Sequence, residues 1–210
     1  MARIKEGPLG QVTGTVGNIT IGKWKNKTTV RNRRSTSKNP ATQGQLEQQA
    51  KVAIAGKFLR SLKIVLRVSF RNYSSDMSGF NEAVRYLLKY GIAGDYPGYS
   101  INFSRVLISR GELLNEADPV ATAEAGQVTF TWKHVAQQGI ADNDQAIVVV
   151  YCEALNKCVY ALNGAPRTAG TITIAAPRFK GYEVHTWLAF ISANGQDVSD
   201  SVYTGKLTIT

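Results

Sequence analysis

The stretch QAIVVVYCE (145–153) belongs to a block, Gln127 to Thr210, that divides into about seven short β segments separated by turn residues. The other segments read QVTFTWKH, KCVYALNG, TITIAA, EVHTWLAFISANG, DVSDSVY and KLTIT. Short strands with turns at close intervals are typical of an all-β sandwich. The sequence therefore predicts an Ig-like β-sandwich over residues 119–210, with Trp132 in its core and the domain boundary near Pro119.

Two of these segments are apolar on both faces. In 145–153 and in EVHTWLAFI (183–191), both sets of alternating positions carry large apolar side chains. A strand of a two-layer sandwich needs only one apolar face. We therefore expect the outer face of these strands to be covered, either by helices of the same chain or by another copy of the protein.

The first 118 residues are predicted to form a separate, basic N-terminal region. Residues 10–34 alternate as a three-stranded β-meander, with tight turns expected at Gly17-Asn18 and Asn26-Lys27. A small sheet rich in glycine and threonine buries little apolar surface alone. It must lean on the rest of the chain or on a neighbouring subunit.

Two amphipathic helices should follow, joined as an antiparallel hairpin. Thr42 and Gln45 form a capping-box pattern at the start of a helix over about 42–68, and a second helix covers 78–90. The apolar positions of the two helices are Leu46, Ala50, Ala53, Ile54, Phe58, Leu62, Val65, Phe80, Ala83, Val84, Leu87 and Leu88. A strand over 100–109 completes this region, so the predicted fold class is α+β: meander, helical hairpin, then sandwich.

The net charge of +10 is unevenly spread along the 210 residues. Residues 1–110 carry a net charge of +14, whereas 111–210 carry −4. Such asymmetry favours a polyanionic partner or a self-complementary assembly, and the alternative is a solvated basic face. No run approaches the roughly 18 apolar residues of a membrane span. The first ten residues lack an apolar run, which predicts synthesis without a secretory leader.

The sequence contains no convincing motif for catalysis, for a cofactor or for a metal ion. His134 and His185 lack a G-x-S-x-G nucleophile elbow, and no phosphate-binding glycine motif occurs. We expect His185 to hydrogen-bond at a corner of the sandwich, and the acidic pair in ADND (141–144) to form a turn rather than a calcium loop. Cys152 and Cys158 could face each other in a hairpin, although two buried thiols are favoured over a disulfide.

The basic segment near the N-terminus is the strongest chemical feature. It places an aromatic side chain among cations, a combination that can stack on bases and contact phosphates. The same cations could instead dock on the acidic half of a neighbouring copy. The candidate contact residues are Lys23, Trp24, Lys25, Lys27, Arg31, Arg33, Arg34 and Lys38.

Several motifs resemble an uncharacterised group of proteins in Bacteroidota, with similar N-terminal patterns in phage-associated proteins. They are G-x-x-G-x-x-x-G-x-V-G (7–17), Trp24-Lys25, N-P-x-T-x-x-Q (39–45), VLISRG (106–111), AIVVVY (146–151), VYAL-x-G-A-x-R (159–167) and VSDSVYTG (198–205). The resemblance covers nearly the whole chain and implies no activity. The second half also resembles fibronectin type III modules, with His185 where such modules often carry a corner tyrosine.

Together these features predict a non-enzymatic structural protein that self-assembles, as a virion component or a filament subunit. The expected partner is another copy of the chain, bound through the N-terminal β arm and through basic–acidic complementarity. The alternative is a nucleic-acid-binding protein, and a surface or carbohydrate ligand is a third possibility. No cofactor or metal is expected. Synthesis is expected in the cytoplasm, with assembly into a virion or outside the cell as open alternatives.

Overall fold

The computed structural model describes residues 2–4, 13–24, 27–33, 39–71, 77–134 and 141–210. The chain forms two compact units, Met1–Thr42 and Gln43–Thr210. Strands come first, then helices, then a mainly β segment, which confirms the predicted α+β class. The helices share a unit with the sandwich, so this division falls earlier in the chain than the expected boundary near Pro119.

The first unit contains a four-stranded antiparallel sheet in the order β1-β4-β3-β2. Its strands are β1 (Ala2–Ile4), β2 (Gly14–Val16), β3 (Ile19–Trp24) and β4 (Lys27–Asn32). Strands β2 to β4 are the predicted meander, and β1 is an additional strand that pairs with β4. The first turn is confirmed: Gly17 adopts a φ of 57°, which glycine reaches without strain. Lys27 belongs to β4 rather than to a turn, and residues 25–26 lie outside the described residues.

Three helices open the second unit: α1 (Gln43–Ser61), α2 (Lys63–Ser69) and α3 (Gly79–Tyr86). The helix predicted over 42–68 is thus two helices, with the break at Leu62. Helix α3 begins where the hydroxyl of Ser78 accepts a hydrogen bond from the Asn81 backbone N–H, a side-chain N-cap. It continues as a π-helix over Leu87–Gly91, and the helical segment ends at this glycine.

The apolar stripe expected along the first helix is buried only in its C-terminal half. Phe58, Leu62 and Val65 are almost fully buried. Leu46 is 38% exposed and Ala53 is also exposed, so the expectation is wrong for the first turns of α1. The buried half is the part that lies in the core with sandwich side chains.

The strand predicted over 100–109 is wrong for most of its length. Only β6 (Ser100–Ile101) pairs, with β5 (Ile92–Ala93). A 3-10 helix then occupies Phe103–Arg105, where the Arg105 N–H bonds the carbonyl of Asn102 instead of a neighbouring strand. The side-chain alternation is broken as a result, because Phe103 is buried and Arg105 is exposed.

The sandwich has seven strands in two antiparallel sheets, ordered β11-β8-β7 and β10-β9-β12-β13. This is an immunoglobulin-like arrangement in which the fourth strand pairs with the third. Strand β7 spans the expected boundary near Pro119, and the last two predicted segments contribute to the single strand β13. The strands are β7 (Ala117–Glu124), β8 (Gln127–Lys133), β9 (Gln145–Cys152), β10 (Lys157–Ala161), β11 (Thr171–Ala175), β12 (Glu183–Ile191) and β13 (Val202–Thr208).

Strands β9 and β12 are buried on both faces, as their sequences predicted. One face packs in the core between the two sheets, and the other packs against the helices. The Phe58 ring of α1 lies 4.8 Å from the ring of Tyr151 and 6.4 Å from that of Trp187, centroid to centroid. Burying each such side chain contributes about 1.5–3 kcal/mol. The helices are therefore a cover for the outer face of this sheet, one of the two alternatives that the sequence left open.

None of the described helices combines the length and apolar character needed to cross a bilayer.

Candidate functional site

The basic residues singled out from the sequence lie mostly on the N-terminal sheet. Lys23, Lys27 and Arg31 are in β3 and β4, and Arg33 follows β4, where its N–H bonds the carbonyl of Asn18. For Trp24 the structure describes the backbone only. The remaining candidates, Lys25, Arg34 and Lys38, lie outside the described residues.

The two faces of this sheet differ in chemistry. Directly paired residues of antiparallel strands share a face, and alternate residues along a strand share a face. The pairs Val16↔Ile19 and Ile21↔Val30 therefore define an apolar face. The opposite face is polar, and its described members are Thr15, Thr20, Gly22, Lys27, Thr29 and Arg31.

The predicted cations that the structure describes do not all lie on one face of the sheet. Lys23 pairs with Thr28 and lies at the end of the apolar face, whereas Lys27 and Arg31 lie on the polar face. A groove that follows a nucleic-acid backbone needs its cations on one side. The division of these described cations between two faces weakens that interpretation.

The apolar face of the sheet is open to solvent at one edge. Val16 is 71% exposed and Ile19 is 44% exposed. Both residues lie in the hairpin of β2 and β3, and among the described strands β2 has only β3 as a neighbour. An edge strand with free backbone groups is a template for pairing with another chain. This edge and the adjoining apolar residues form the candidate site, which we call the β2 edge.

A buried ionic cluster in the second unit was missed by the sequence analysis. The guanidinium of Arg167 is fully buried and donates to Asp144 at 3.1 Å, to Glu116 at 3.2 Å and to the carbonyl of Leu114 at 2.7 Å. Its Cζ also lies 4.1 Å from the centroid of the Phe190 ring. Because all of these partners belong to the same chain, the cluster holds the 114–116 segment to the sandwich, which is a structural role.

The two histidines have opposite environments. His134 lies between Glu116 and Asp142, each 3.0 Å from a different ring nitrogen, and the Glu116 hydrogen bond is the main reason that its pKa is raised. His185 is stacked on Phe103, with ring centroids 3.8 Å apart, and burial lowers its pKa to about 4. Its Nδ1 is 2.8 Å from the hydroxyl of Tyr203, so the expected hydrogen bond exists, but it joins β12 to β13 rather than lying at a corner.

The acidic pair in 141–144 serves these same contacts. Asp142 lies in a turn and bonds His134, and the Asp144 carboxylate accepts from Arg167. Because the two carboxylates bound to His134 lie against different ring nitrogens, they cannot chelate one ion together with that ring. Over the described part of the chain, no cluster of three or more His, Cys, Asp or Glu side chains has the arrangement of a metal site.

The cysteines are free and lie on opposite faces of their sheet. Cys152 pairs with Lys157, and Cys158 pairs with Tyr151, so the two residues are out of register by one position. Cys152 lies in the core between the sheets, whereas Cys158 packs on the helix side. The possibility that they face each other is therefore wrong, and no disulfide can join them without rearrangement.

Three cations of the second unit that the sequence did not single out lie close together. Arg85 and Lys89 lie four residues apart on α3 and the π-helix, and Arg110 joins them from a later segment. Helical spacing relates the first two and could have been recognised. The approach of Arg110 depends on the tertiary fold and left no signal in the local sequence.

The architecture is thus a small β-sheet unit followed by an Ig-like sandwich that carries helices on one face. Residues 11–205 match a family described as a family of unknown function (DUF6266). The chain belongs to this family, since the match covers nearly all of its length. No curated protein matches the chain.

Proposed function

We propose that this protein is a non-enzymatic structural subunit that self-assembles through the β2 edge. One observation carries the proposal: an apolar face that includes Val16 and Ile19 is exposed beside an edge strand. Exposed edges of this kind are normally blunted by charge, proline or a covering element. Pairing with a strand of another copy would satisfy the backbone groups and bury the apolar side chains.

Charge complementarity supports a second contact in the same assembly. Of the ten acidic residues in 111–210, only Glu116 and Asp144 are buried, and the others are exposed. The cations of the N-terminal sheet can therefore face the acidic sandwich of the next copy. A head-to-tail contact of this kind gives a filament if it stays open and a ring if it closes. The resemblance to phage-associated proteins favours a virion component or filament over a soluble ring.

The test uses point variants in one hairpin. Val16→Glu and Ile19→Glu place charges on the apolar face, and Thr15→Glu places the same charge on the polar face of the same strand. All three residues are exposed, so the variants should fold. We expect light scattering to show oligomers for wild type and Thr15→Glu and a shift towards monomer for the other two. Unchanged mass in all three variants would sink the proposal.

Nucleic-acid binding is the second candidate, and the polar face of the sheet favours it. Lys27 and Arg31 lie on that face with the hydroxyl-bearing Thr20 and Thr29, groups that bind phosphates. A gel-shift series with Lys27→Gln and Arg31→Gln should then weaken binding and reduce its salt dependence. Binding that is the same in these variants and in wild type removes this candidate.

A further inference from the structure

Helix α3 and the π-helix after it border a pocket of about 200 Å³, which we call the α3 pocket. At roughly 30 Å³ per water molecule, this volume holds several waters, or a small anion with part of its substituent. Its lining combines three cations, two tyrosines and one carboxylate: Glu82, Arg85, Tyr86, Lys89, Tyr90 and Arg110.

The helical part of the lining follows from i,i+4 spacing. Arg85 and Lys89 lie on one line of the helix, and Tyr86 and Tyr90 lie on the next, with ring centroids 4.9 Å apart. The turn that carries Lys89 and Tyr90 is a π-helix, which is wider than an α-helical turn. Such turns are rare and frequently occur at functional sites.

Arg110 is held in place by buried hydrogen bonds of its own segment. Its backbone N–H bonds the carbonyl of Ser69, and the neighbouring Ser109 carbonyl accepts from the N–H of Ser201. Its guanidinium Cζ lies 5.3 Å from the centroid of the Tyr86 ring. Arg110 therefore reaches the pocket from a separate segment whose backbone is held by hydrogen bonds. A basic helix face that only contacts solvent would not need a third cation from another segment.

The electrostatics of the α3 pocket favour an anion. The Glu82 carboxylate is 5% exposed and lies 3.5 Å from Arg85, and one negative against three positive side chains leaves a net charge of +2. The pKa of Tyr90 is lowered, first by its hydrogen bond with Lys89 and then by the charges of Lys89, Arg110 and Arg85. All three cations thus act on one point in the pocket.

We propose that the α3 pocket binds the phosphate monoester group of a small organic molecule. The dianion of a phosphate monoester matches the net charge of +2, and guanidinium groups bind phosphate oxygens through paired hydrogen bonds. An apolar groove lined by Val84 and Leu88 shares Arg85 and Lys89 with the pocket. It lies where the organic part of such an ester could pack. The proposal concerns the second unit alone and does not rest on self-assembly.

The experiment is a calorimetric titration of the full chain with phenyl phosphate, inorganic phosphate and phenol. We expect phenyl phosphate to bind more tightly than inorganic phosphate and phenol not to bind. Lys89→Gln and Arg110→Gln should each weaken phenyl phosphate by about tenfold, because each removes a charge-assisted hydrogen bond. Lys157→Gln, an exposed lysine on β10, is the matched control and should leave the affinity unchanged.

The outcomes separate the possible ligands. Absence of phenyl phosphate binding at millimolar concentration overturns the proposal, as does an equal loss in Lys157→Gln and Lys89→Gln. Equal affinity for inorganic phosphate and phenyl phosphate overturns the claim that the organic group contributes to binding. Should one variant unfold, the pH titration of Tyr90 in the variant that folds still decides, followed by NMR because absorbance sums all nine tyrosines. Removing Lys89 or Arg110 raises the Tyr90 pKa if the three cations converge, and an unchanged pKa contradicts that geometry.

Discussion

Replacing Arg167 by methionine should destabilise the second unit strongly. The side chain is fully buried, and its two acidic partners, Glu116 and Asp144, have side chains that are 0% and 3% exposed. Methionine fills much of the same volume, but it removes the guanidinium from two buried carboxylates, of which Glu116 still contacts His134. Breaking a buried ion pair in this way costs about 3–5 kcal/mol. For a unit of this size the melting temperature should fall by roughly 6–20 °C.

Urea unfolding followed by tryptophan fluorescence measures this cost, because Trp132 and Trp187 are buried in the sandwich. Arg178→Met is the control, since Arg178 is exposed, and its effect should stay within about 0.5 kcal/mol.

A triple variant separates lost charge pairing from lost packing. Adding Glu116→Gln and Asp144→Asn to Arg167→Met removes the stranded charges and should restore at least half of the lost stability. The reasoning is refuted if Arg167→Met costs less than about 1 kcal/mol. It is equally refuted if the triple variant is less stable than the single one.

Three further predictions concern pH, thiol chemistry and backbone packing. The pKa of His185 is about 4 in the folded protein, below its unfolded value of about 6.5. The neutral ring's contribution to the free energy of unfolding is therefore complete above about pH 6.5 and is lost as the pH falls towards 4. Between pH 7 and 5 wild type should lose about 2 kcal/mol more than His185→Gln in urea unfolding, and equal losses would contradict the assignment. Burial raises the pKa of Cys158 to about 11. A thiol reagent should therefore label this thiol slowly in the native protein and quickly in urea. Rapid labelling of the native protein would contradict the prediction, because it would show that the thiol is accessible. An alanine at Gly111 would place its Cβ in a clash with the carbonyl oxygen of Val198, so thermal melting should show a clear loss of stability. An unchanged midpoint would mean that the segment shifts freely.

The sandwich could be predicted because its buried strand positions carry apolar residues in a regular pattern. Strands β9 and β12 are apolar at every alternation, and this predicted both the sheet and a cover on its outer face. The meander was equally legible through its period of two and the Gly17 turn. Strand β7 was missed because it contains Pro119, which reads as a break and instead lies where the pairing of β7 with β8 shifts register.

The features that sequence reasoning could not reach depend on contacts between distant segments. Nothing near Arg167 in the sequence shows that Glu116, 51 residues earlier, is its partner. The break at Leu62 and the 3-10 helix after Ser100–Ile101 are likewise decided by packing, because local spacing favoured continuous elements. For the candidate site, the sequence indicated the basic segment. Only the strand register showed that its described cations are divided between two faces and that exposed apolar residues lie at the β2 edge.

Hydrogen exchange on the full chain over a dilution series, with mass measured in parallel, tests the central claim most directly. If the β2 edge joins copies, the chain is oligomeric when concentrated, and the amide of Thr15, which points away from β3, loses protection as the mass falls to that of a monomer. A strictly monomeric species in which this amide stays protected at every concentration would contradict the claim.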